Sequence, residues 1–245
     1  MDCGITGRRA AVAAASRGLG RACAEALAAE GVQVAICGRD PARLEEVAAA
    51  SGVIPIVADV STPEGARGFV REAHAALGGI DILVPNAGGP HPGGFADIAD
   101  IADYAQAFEL NALSTIAMCQ EAVPEMRAQR WGRVVAITSI AVRQPIPSLI
   151  LSNTARAAVT AFLKTLAREV AADGVTVNSL QPGIHDTDRI RQLGGREAAA
   201  AGIPAGTIGE PAGFGALCAF VCSEHARFLT GAAIPVDGGA YARLQ

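Results

Sequence analysis

The chain is poor in lysine and in aromatic residues. Its 245 residues include nineteen arginines but only one lysine, Lys164, and only two tyrosines, Tyr104 and Tyr241. A mechanism that needs a lysine amine has to use Lys164, and a mechanism that needs a phenol has two candidates. These shortages leave few side chains that could exchange a proton with a substrate near neutral pH.

The sequence also lacks long apolar runs and clusters of basic residues. No uncharged apolar run is long enough to span a bilayer, and the segment before Arg8 has no apolar stretch typical of a signal peptide. The net charge is −4, so nucleic acid and anionic membrane surfaces are not expected as partners. With 51% hydrophobic and 18% charged residues, we expect a folded cytoplasmic protein that acts on a small molecule.

No C-x-x-C pair occurs among the six cysteines, at positions 3, 23, 37, 119, 218 and 222. Cys218, Cys222 and His225 could share one helix face, but three ligands from one helix rarely close a zinc site. We therefore predict no metal site, and we interpret the cysteines as small core residues in a reducing compartment.

Apolar runs typical of strands alternate with helical patterns along the whole chain. This alternation predicts an α/β fold with a doubly wound parallel sheet and helices on both faces. We expect a single domain, 1–245, because no linker or repeat divides the sequence. The predicted strands are Ala10–Ala15, Val32–Cys37, Val53–Ala58, Ile80–Pro85, Val134–Thr138, Val175–Leu180 and Ala232–Val236. The main predicted helices are 18–30, one beginning at Pro41, Pro63–Leu77, Ile101–Arg130, Ser152–Ala172 and Pro211–Ser223.

One long interval, Ile184–Glu210, has no strand pattern and is rich in glycine and alanine. Its length and position, after the sixth strand, favour a substrate lid over 184–210. A plain surface excursion would have the same composition, so both interpretations stay open.

A glycine-rich turn follows the first strand and opens the first helix. Its residues are Ala14, Ala15, Ser16, Arg17, Gly18, Leu19 and Gly20. Such a turn lets the backbone approach a pyrophosphate, which the free N–H groups and dipole of the helix N-terminus then bind. The turn therefore predicts a Rossmann-type dinucleotide-binding unit. On this motif alone, a tight turn before a buried helix is an equally good interpretation.

Two arginines indicate which dinucleotide is bound. Sites that prefer NAD usually place an acidic residue at the end of the second strand, where this chain has Gly38 followed by Arg39. Arg17 lies within the turn itself. Two guanidinium groups near one 2′-phosphate favour NADP(H) over NAD(H). The alternative for Arg39 is a solvated surface charge beside Asp40.

Further motifs occur in a fixed order along the chain. They are Asp59-Val60, the segment Asp81–Gly88 with Asn86-Ala87-Gly88, Asn111 within Leu110-Asn111-Ala112, Ser139 at the end of the fifth strand, Pro182-Gly183 followed by Thr187, and Val236–Gly239. Together with the glycine-rich turn they resemble the classical short-chain dehydrogenases/reductases, and among these the 3-oxoacyl-carrier-protein reductases. The resemblance covers essentially the whole chain.

The resemblance implies a seven-stranded parallel sheet and a homodimer or homotetramer built through the two long helices. It implies adenine contacts from Asp59 and Val60, cofactor contacts from Asn86, Ala87, Gly88, Pro182, Gly183 and Thr187, and catalytic roles for Asn111 and Ser139. The family's tyrosine and lysine would stand thirteen and seventeen residues after Ser139. Ser152 and Arg156 occupy those two positions, and Ala14 replaces the family's first turn glycine.

These replacements remove the usual acid–base pair. An aliphatic hydroxyl such as that of Ser152 is not acidic near neutral pH, and an arginine keeps its proton. Arg156 could still hold the nicotinamide ribose or an anionic substrate. Lys164 is about 12 Å further along the helix, at about 1.5 Å per residue, so it cannot replace Arg156. His91 and His185 are the remaining proton-donor candidates, and His185 is preferred because it precedes Thr187.

Three functional hypotheses follow. The first is an atypical NADP(H)-dependent oxidoreductase for a carbonyl or alcohol substrate, in which Ser139 binds the substrate oxygen and water or His185 supplies the proton. The second is a non-redox enzyme of the lyase or dehalogenase kind on the same scaffold. The third is a catalytically silent NADP-binding protein.

Overall fold

Seven strands form one parallel sheet in a computed structural model that describes residues 2–188 and 199–244. The strands are β1 (Arg9–Val12), β2 (Gln33–Gly38), β3 (Ile54–Val57), β4 (Ile82–Val84), β5 (Gly132–Ile137), β6 (Val175–Pro182) and β7 (Ala233–Val236). Their order is β3-β2-β1-β4-β5-β6-β7, and every neighbouring pair is parallel. The predicted fold class is confirmed.

Helices cover both faces of the sheet. They are α1 (Gly18–Ala29), α2 (Pro41–Ser51), α3 (Pro63–Leu77), α4 (Ile101–Ala107), α5 (Ser114–Ala128), α6 (Ile150–Val170) and α7 (Pro211–Cys222). One apolar cluster packs the sheet against α3, α5 and α6, and a second packs it against α1, α2 and α7. The central strands are buried on both sides, which explains why their sequences are continuous apolar runs.

The strand order reverses between β1 and β4. The chain proceeds from β1 outward to β3, then returns across β1 to place β4 on its other side. In open α/β sheets, ligands bind in the crevice at this reversal, beyond the carboxyl ends of the strands. The turn after β1 and the segment after β4 both lie there.

The long helix predicted over Ile101–Arg130 is interrupted. A π-helical segment, Phe108–Leu113, separates α4 from α5 and carries Asn111 near its centre. The Ser114 hydroxyl donates to the Leu110 carbonyl oxygen at 2.6 Å, and the Thr115 hydroxyl donates to that of Asn111 at 2.8 Å. These side-chain bonds satisfy carbonyl groups where the α-helical ladder is broken.

The predicted lid, 184–210, is described only at its two ends, because residues 189–198 lie outside the described part. The two ends are bound to each other: Gly209 N–H donates to the Ile184 carbonyl oxygen at 2.9 Å, and Asp186 N–H donates to that of Gly209 at 2.9 Å. The second end is also bound to the C-terminal segment, where Ala205 N–H donates to the Gly238 carbonyl oxygen at 3.0 Å. The lid stays a prediction.

Within the described residues, no helix is both long and apolar enough to cross a membrane. The same residues contain no group of three histidine, cysteine or carboxylate side chains placed to hold a metal ion. His225 instead contacts the backbone oxygen of Asp2 through Nε2, at 2.8 Å.

Candidate active site

The glycine-rich turn lies at the crevice and is closed by Asn86. The Asn86 side-chain amide donates to the Ala14 carbonyl oxygen at 3.2 Å. A methyl group added at Gly20 would lie 2.7 Å from that oxygen and 2.8 Å from Asn86 Nδ2, so glycine is required there. The N-cap residue of α1, Arg17, makes no side-chain capping bond, which leaves the first N–H groups of the helix available to a ligand.

Ala14 adopts a left-handed backbone conformation, with φ at +48°. An alanine there costs roughly 1 kcal/mol relative to glycine. The Ala14 N–H donates to the Cys37 sulfur at 3.4 Å. Burial raises the pKa of Cys37 to about 12, so the sulfur accepts this bond as a neutral thiol. Cys37 was predicted only as a core residue, and its contact with the turn could not be found from sequence spacing.

Two exposed cations, Arg17 and Arg39, lie in the turn after β1 and just after β2. Arg17 and Arg39 are exposed, and within 2–188 and 199–244 neither side chain has a hydrogen-bond or ion-pair partner. Asp40 does not pair with Arg39. Its carboxylate caps α2 by accepting from Ala42 N–H at 3.1 Å, and it pairs with Arg43 at 3.2 Å.

Gly38 is the last residue of β2, and Asp59 follows the end of β3. A methyl group at Gly38 would lie 3.0 Å from Ser16 Oγ, so glycine allows the turn to pass close to the end of β2. Asp59 is exposed and accepts from Ser61 N–H at 3.0 Å, while the neighbouring Val60 is buried. Leu19, the remaining turn residue, packs at the edge of the apolar cluster beneath α1.

The segment after β6 approaches the turn from the opposite side. A methyl group added at Gly18 would lie 3.7 Å from Thr187 Cγ2, which places Thr187 against the turn. A methyl group at Gly183 would lie 2.7 Å from Asp237 Cβ, so this glycine lets the C-terminal Val236–Gly239 segment pack on the end of β6. The segment after β6 thus lies beside the turn, and the cofactor contacts of Pro182, Gly183 and Thr187 stay predictions.

Arg156 is bound by main-chain carbonyl groups. Its Nη1 donates to the oxygens of Ile137 and Thr138, both at 3.1 Å, and its Nη2 donates to that of Ala87 at 3.4 Å. The guanidinium thus joins the carboxyl ends of β4 and β5 directly beside Ser139. Sequence reasoning considered ribose or an acid group as its partner and missed these carbonyl groups.

Ser139, Ser152 and Asn111 are the remaining predicted catalytic residues besides Arg156 and His185. Ser139 Oγ accepts from Ala141 N–H at 3.1 Å, so its own proton stays available for donation. Ser152, 8% exposed in the first turn of α6, has no hydrogen bond assigned to its hydroxyl in the described ranges. Asn111 donates through Nδ2 to the Gly88 carbonyl oxygen at 3.0 Å, while its buried Oδ1 lacks a partner there.

His185 packs inside the protein. It is 4% exposed, its ring meets that of Phe214 edge to face at 5.2 Å, and Nδ1 lies 3.2 Å from the Gly183 carbonyl oxygen. Burial lowers the pKa of His185, although the Gly183 contact opposes this effect. A neutral, buried imidazole is a poor proton donor near pH 7, so the structure favours a packing role for it.

The other sequence candidates are also engaged elsewhere. His91 is exposed, with Nε2 at 3.3 Å from Asp103 Oδ1. Tyr104 packs in a small apolar cluster with Ile98, Ala107, Leu151 and Ala155. The Tyr241 ring lies 5.4 Å from the Arg143 guanidinium carbon, and Lys164 Nζ donates to the Gly231 carbonyl oxygen at 2.8 Å. Residues 189–198 contain no tyrosine, lysine, histidine or cysteine that could replace them.

Comparisons with known proteins agree with this architecture. Residues 13–241 match the family model described as Enoyl-(Acyl carrier protein) reductase. The chain is 32% identical to 3-oxoacyl-[acyl-carrier-protein] reductase FabG of Escherichia coli (strain K12), over 96% of this chain and 98% of that protein. It is 33% identical to Nodulation protein G of Rhizobium sp. (strain N33), over 96% and 97% of the two chains.

Solved structures show the same relationship. L-sorbose reductase from Gluconobacter frateurii, complexed with NADPH and L-sorbose, superposes with a TM-score of 0.91 at 31% identity, covering 100% of both chains. YwfH, an NADPH-dependent reductase involved in bacilysin biosynthesis, gives 0.90 at 28% identity, over 97% of this chain and 99% of that one. The sheet order, the glycine-rich turn and these matches together make the chain a member of the classical short-chain dehydrogenase/reductase family of oxidoreductases.

Proposed function

We propose that the protein binds NADP(H) in preference to NAD(H) and acts as an oxidoreductase on a carbonyl or alcohol substrate without a tyrosine–lysine acid–base pair. The observation that carries this proposal is the pair of exposed guanidinium groups of Arg17 and Arg39 beside the glycine-rich turn, neither of which has a partner among the described residues. The L-sorbose reductase neighbour, whose structure contains NADPH, supports it.

The crevice fits the dinucleotide on several independent grounds. The N-terminus of α1 has free N–H groups, Gly20 and Gly38 keep the approach open, and Asn111 Oδ1 lacks a partner among the described residues. Arg17 and Arg39 would hold the 2′-phosphate, Asp59 and Val60 would border the adenine, and Thr187 would border the nicotinamide. When bound, the nucleotide would supply or accept a hydride.

Three residues would orient the substrate. The Ser139 hydroxyl would donate to the substrate oxygen, because its acceptor side is occupied by Ala141 N–H. Ser152 would line the pocket with a second hydroxyl. Arg156 would provide fixed positive charge while it holds β4 and β5 together. Since none of these groups releases a proton near pH 7, water would supply the proton.

A catalytically silent NADP-binding protein is the second candidate. The three carbonyl bonds of Arg156 favour it, because they give this residue a structural role that would persist without turnover. Titration with NADPH combined with a panel of ketones and aldehydes separates the two. Nucleotide binding with no turnover on any substrate would select the silent protein, and product formation without nucleotide would indicate a non-redox enzyme.

Replacing Arg39 with alanine should weaken NADPH binding by about tenfold or more and leave NADH binding unchanged. The reason is the loss of a charge-assisted contact to phosphate, worth about 1.5–3 kcal/mol. Fluorescence titration with both nucleotides measures this. Arg43→Ala is the matched control, because Arg43 is an exposed neighbour already paired with Asp40. An equal loss of NADPH affinity in Arg39→Ala and Arg43→Ala would contradict the assignment of Arg39 to the 2′-phosphate.

A homodimer or homotetramer built through α5 and α6 remains our prediction. Ala157 and Ala161 are exposed on α6, and Leu113, the residue before α5, is 43% exposed. Small residues on one helix face allow close packing of a second copy. Ala161→Glu should therefore reduce the oligomer to a smaller species in light scattering, whereas Ala49→Glu, at an equally exposed alanine on α2, should not. A wild-type monomer at micromolar concentration would refute the prediction.

A further inference from the structure

A second cleft lies away from the crevice, between α6 and the edge strand β7. Its volume is about 450 Å³, which is within the usual range for small-molecule sites. It is lined by Arg143, Thr160, Leu163, Lys164, Val177, Ser179 and the segment 231–235. None of the residues assigned above to nucleotide or substrate lines it, so it is a separate feature of the molecule.

Two cations line this cleft, and no acidic residue does. Over 2–188 and 199–244, neither Arg143 nor Lys164 forms an ion pair with a carboxylate. Two uncompensated positive charges in one concave site attract an anion and repel a cation.

The Arg143 guanidinium is held in a fixed orientation. Its Nε donates to the side-chain oxygen of Gln181, its Nη2 donates to the Ala233 carbonyl oxygen, and the Tyr241 ring lies 5.4 Å from its central carbon. Gln181 is fully buried, so this anchor is rigid. The remaining N–H groups of Arg143 are therefore presented without the entropic cost of fixing a free side chain.

The other walls of the cleft are largely apolar. Leu163 and Val177 are buried in the core behind it, and Ile234 and Pro235 are half-buried on β7. An inorganic anion would satisfy the two cations but would leave these walls in contact with water. A ligand with one anionic end and a hydrocarbon body would satisfy both parts.

We propose that this cleft binds a carboxylate with an apolar body, of the kind represented by a medium-chain fatty acid. The carboxylate is held by Arg143 and Lys164, and the hydrocarbon lies along Leu163, Val177 and Ile234. Ser179 also lines the cleft, whereas the Thr160 hydroxyl already donates to the Arg156 carbonyl oxygen at 3.0 Å.

The single lysine makes the test specific to this cleft. Reductive methylation with ¹³C-formaldehyde labels Lys164 and the terminal amine only, and it keeps the positive charge of both. The Lys164 dimethyl signal should move saturably when octanoate is added. Acetate, which lacks the apolar body, and 1-octanol, which lacks the charge, should each require at least about tenfold higher concentration for the same movement.

Arg143→Gln should weaken octanoate binding at least about tenfold, because it removes a charged donor. Arg168→Gln is the matched control, since Arg168 is an exposed cation one turn beyond Lys164 that does not line the cleft, and it should change binding by less than about twofold. Calorimetry of octanoate binding to Lys164→Gln tests the second cation without the label. Thermal melting confirms that each variant is folded.

Several results would overturn the proposal. One is a Lys164 signal that octanoate does not move. If that signal instead changes when the protein is diluted through its oligomer–monomer transition, the cleft belongs to a contact with a second copy of the chain. An equal response to acetate and octanoate would reduce the site to a general anion contact. Unchanged octanoate affinity in Arg143→Gln would show that Arg143 does not bind the carboxylate.

Discussion

The double variant Ser152→Tyr with Arg156→Lys should raise carbonyl reductase activity by about 10²–10⁴-fold, the usual contribution of a positioned general acid. A phenol at position 152 would stand in the first turn of α6, four residues before position 156. A lysine at position 156 would lower its pKa toward the working range. Steady-state NADPH oxidation with a broad ketone and aldehyde panel measures the gain.

The single variants are the controls for this result. Ser152→Tyr alone places a phenol beside a guanidinium that is already bound to three carbonyl groups, and Arg156→Lys alone has no phenol to activate. Each should therefore gain much less than the double variant. Ser152 is only 8% exposed, so NADPH titration and a thermal melt must first show that the double variant is folded. A folded, NADPH-binding double variant without any gain would mean that the pocket itself does not accept carbonyl substrates.

Gly215→Ala should destabilise the fold by about 3 kcal/mol, the upper part of the range for overpacking. Gly215 lies where α7 crosses α1, and an added methyl group would overlap the backbone oxygen of Ala22. Because a backbone atom cannot rotate away, one helix must move. Since α1 carries the glycine-rich turn, NADPH binding should weaken as well. Urea unfolding and nucleotide titration measure the two effects.

Gly213→Ala, two residues earlier on α7, is the matched control. It is exposed, and an added methyl group would meet nothing within 4 Å. Replacing glycine by alanine in a helix otherwise stabilises by roughly 0.5–1 kcal/mol. The two variants should therefore have opposite signs. If both stabilise, the close contact between α1 and α7 is not a constraint on this fold.

The strands follow from apolar runs in the sequence. Alternating strand and helix signals, together with the resemblance, predict the seven-stranded parallel sheet and place the glycine-rich turn after the first strand, whereas the strand order, with its reversal between β1 and β4, comes from the structure. The predicted ends differ from the observed ones by a few residues. Ala13 and Ala15, for example, lie beyond β1 but still donate to neighbouring backbone oxygens at 3.1 and 2.8 Å.

The parts that sequence could not predict depend on partners distant in the chain or on main-chain atoms. The π-helical segment at Asn111 depends on hydroxyl bonds that Ser114 and Thr115 could equally make in a regular helix. The burial of His185 depends on Phe214, which follows it by 29 residues. Three of the partners of Arg156 are main-chain carbonyl groups, which every residue has and which the sequence therefore cannot indicate.

The carbonyl contacts of Arg156 also bear on the order in which the family's catalytic pair could be regained by mutation. A lysine has a shorter reach and a single nitrogen, so Arg156→Lys taken first would give up contacts between β4 and β5 with no catalytic return. Ser152→Tyr taken first leaves those contacts in place. Selection for carbonyl reduction should therefore recover the tyrosine before the lysine. Because Arg156 connects β4 and β5, replacing it first would lose these contacts without any gain in activity.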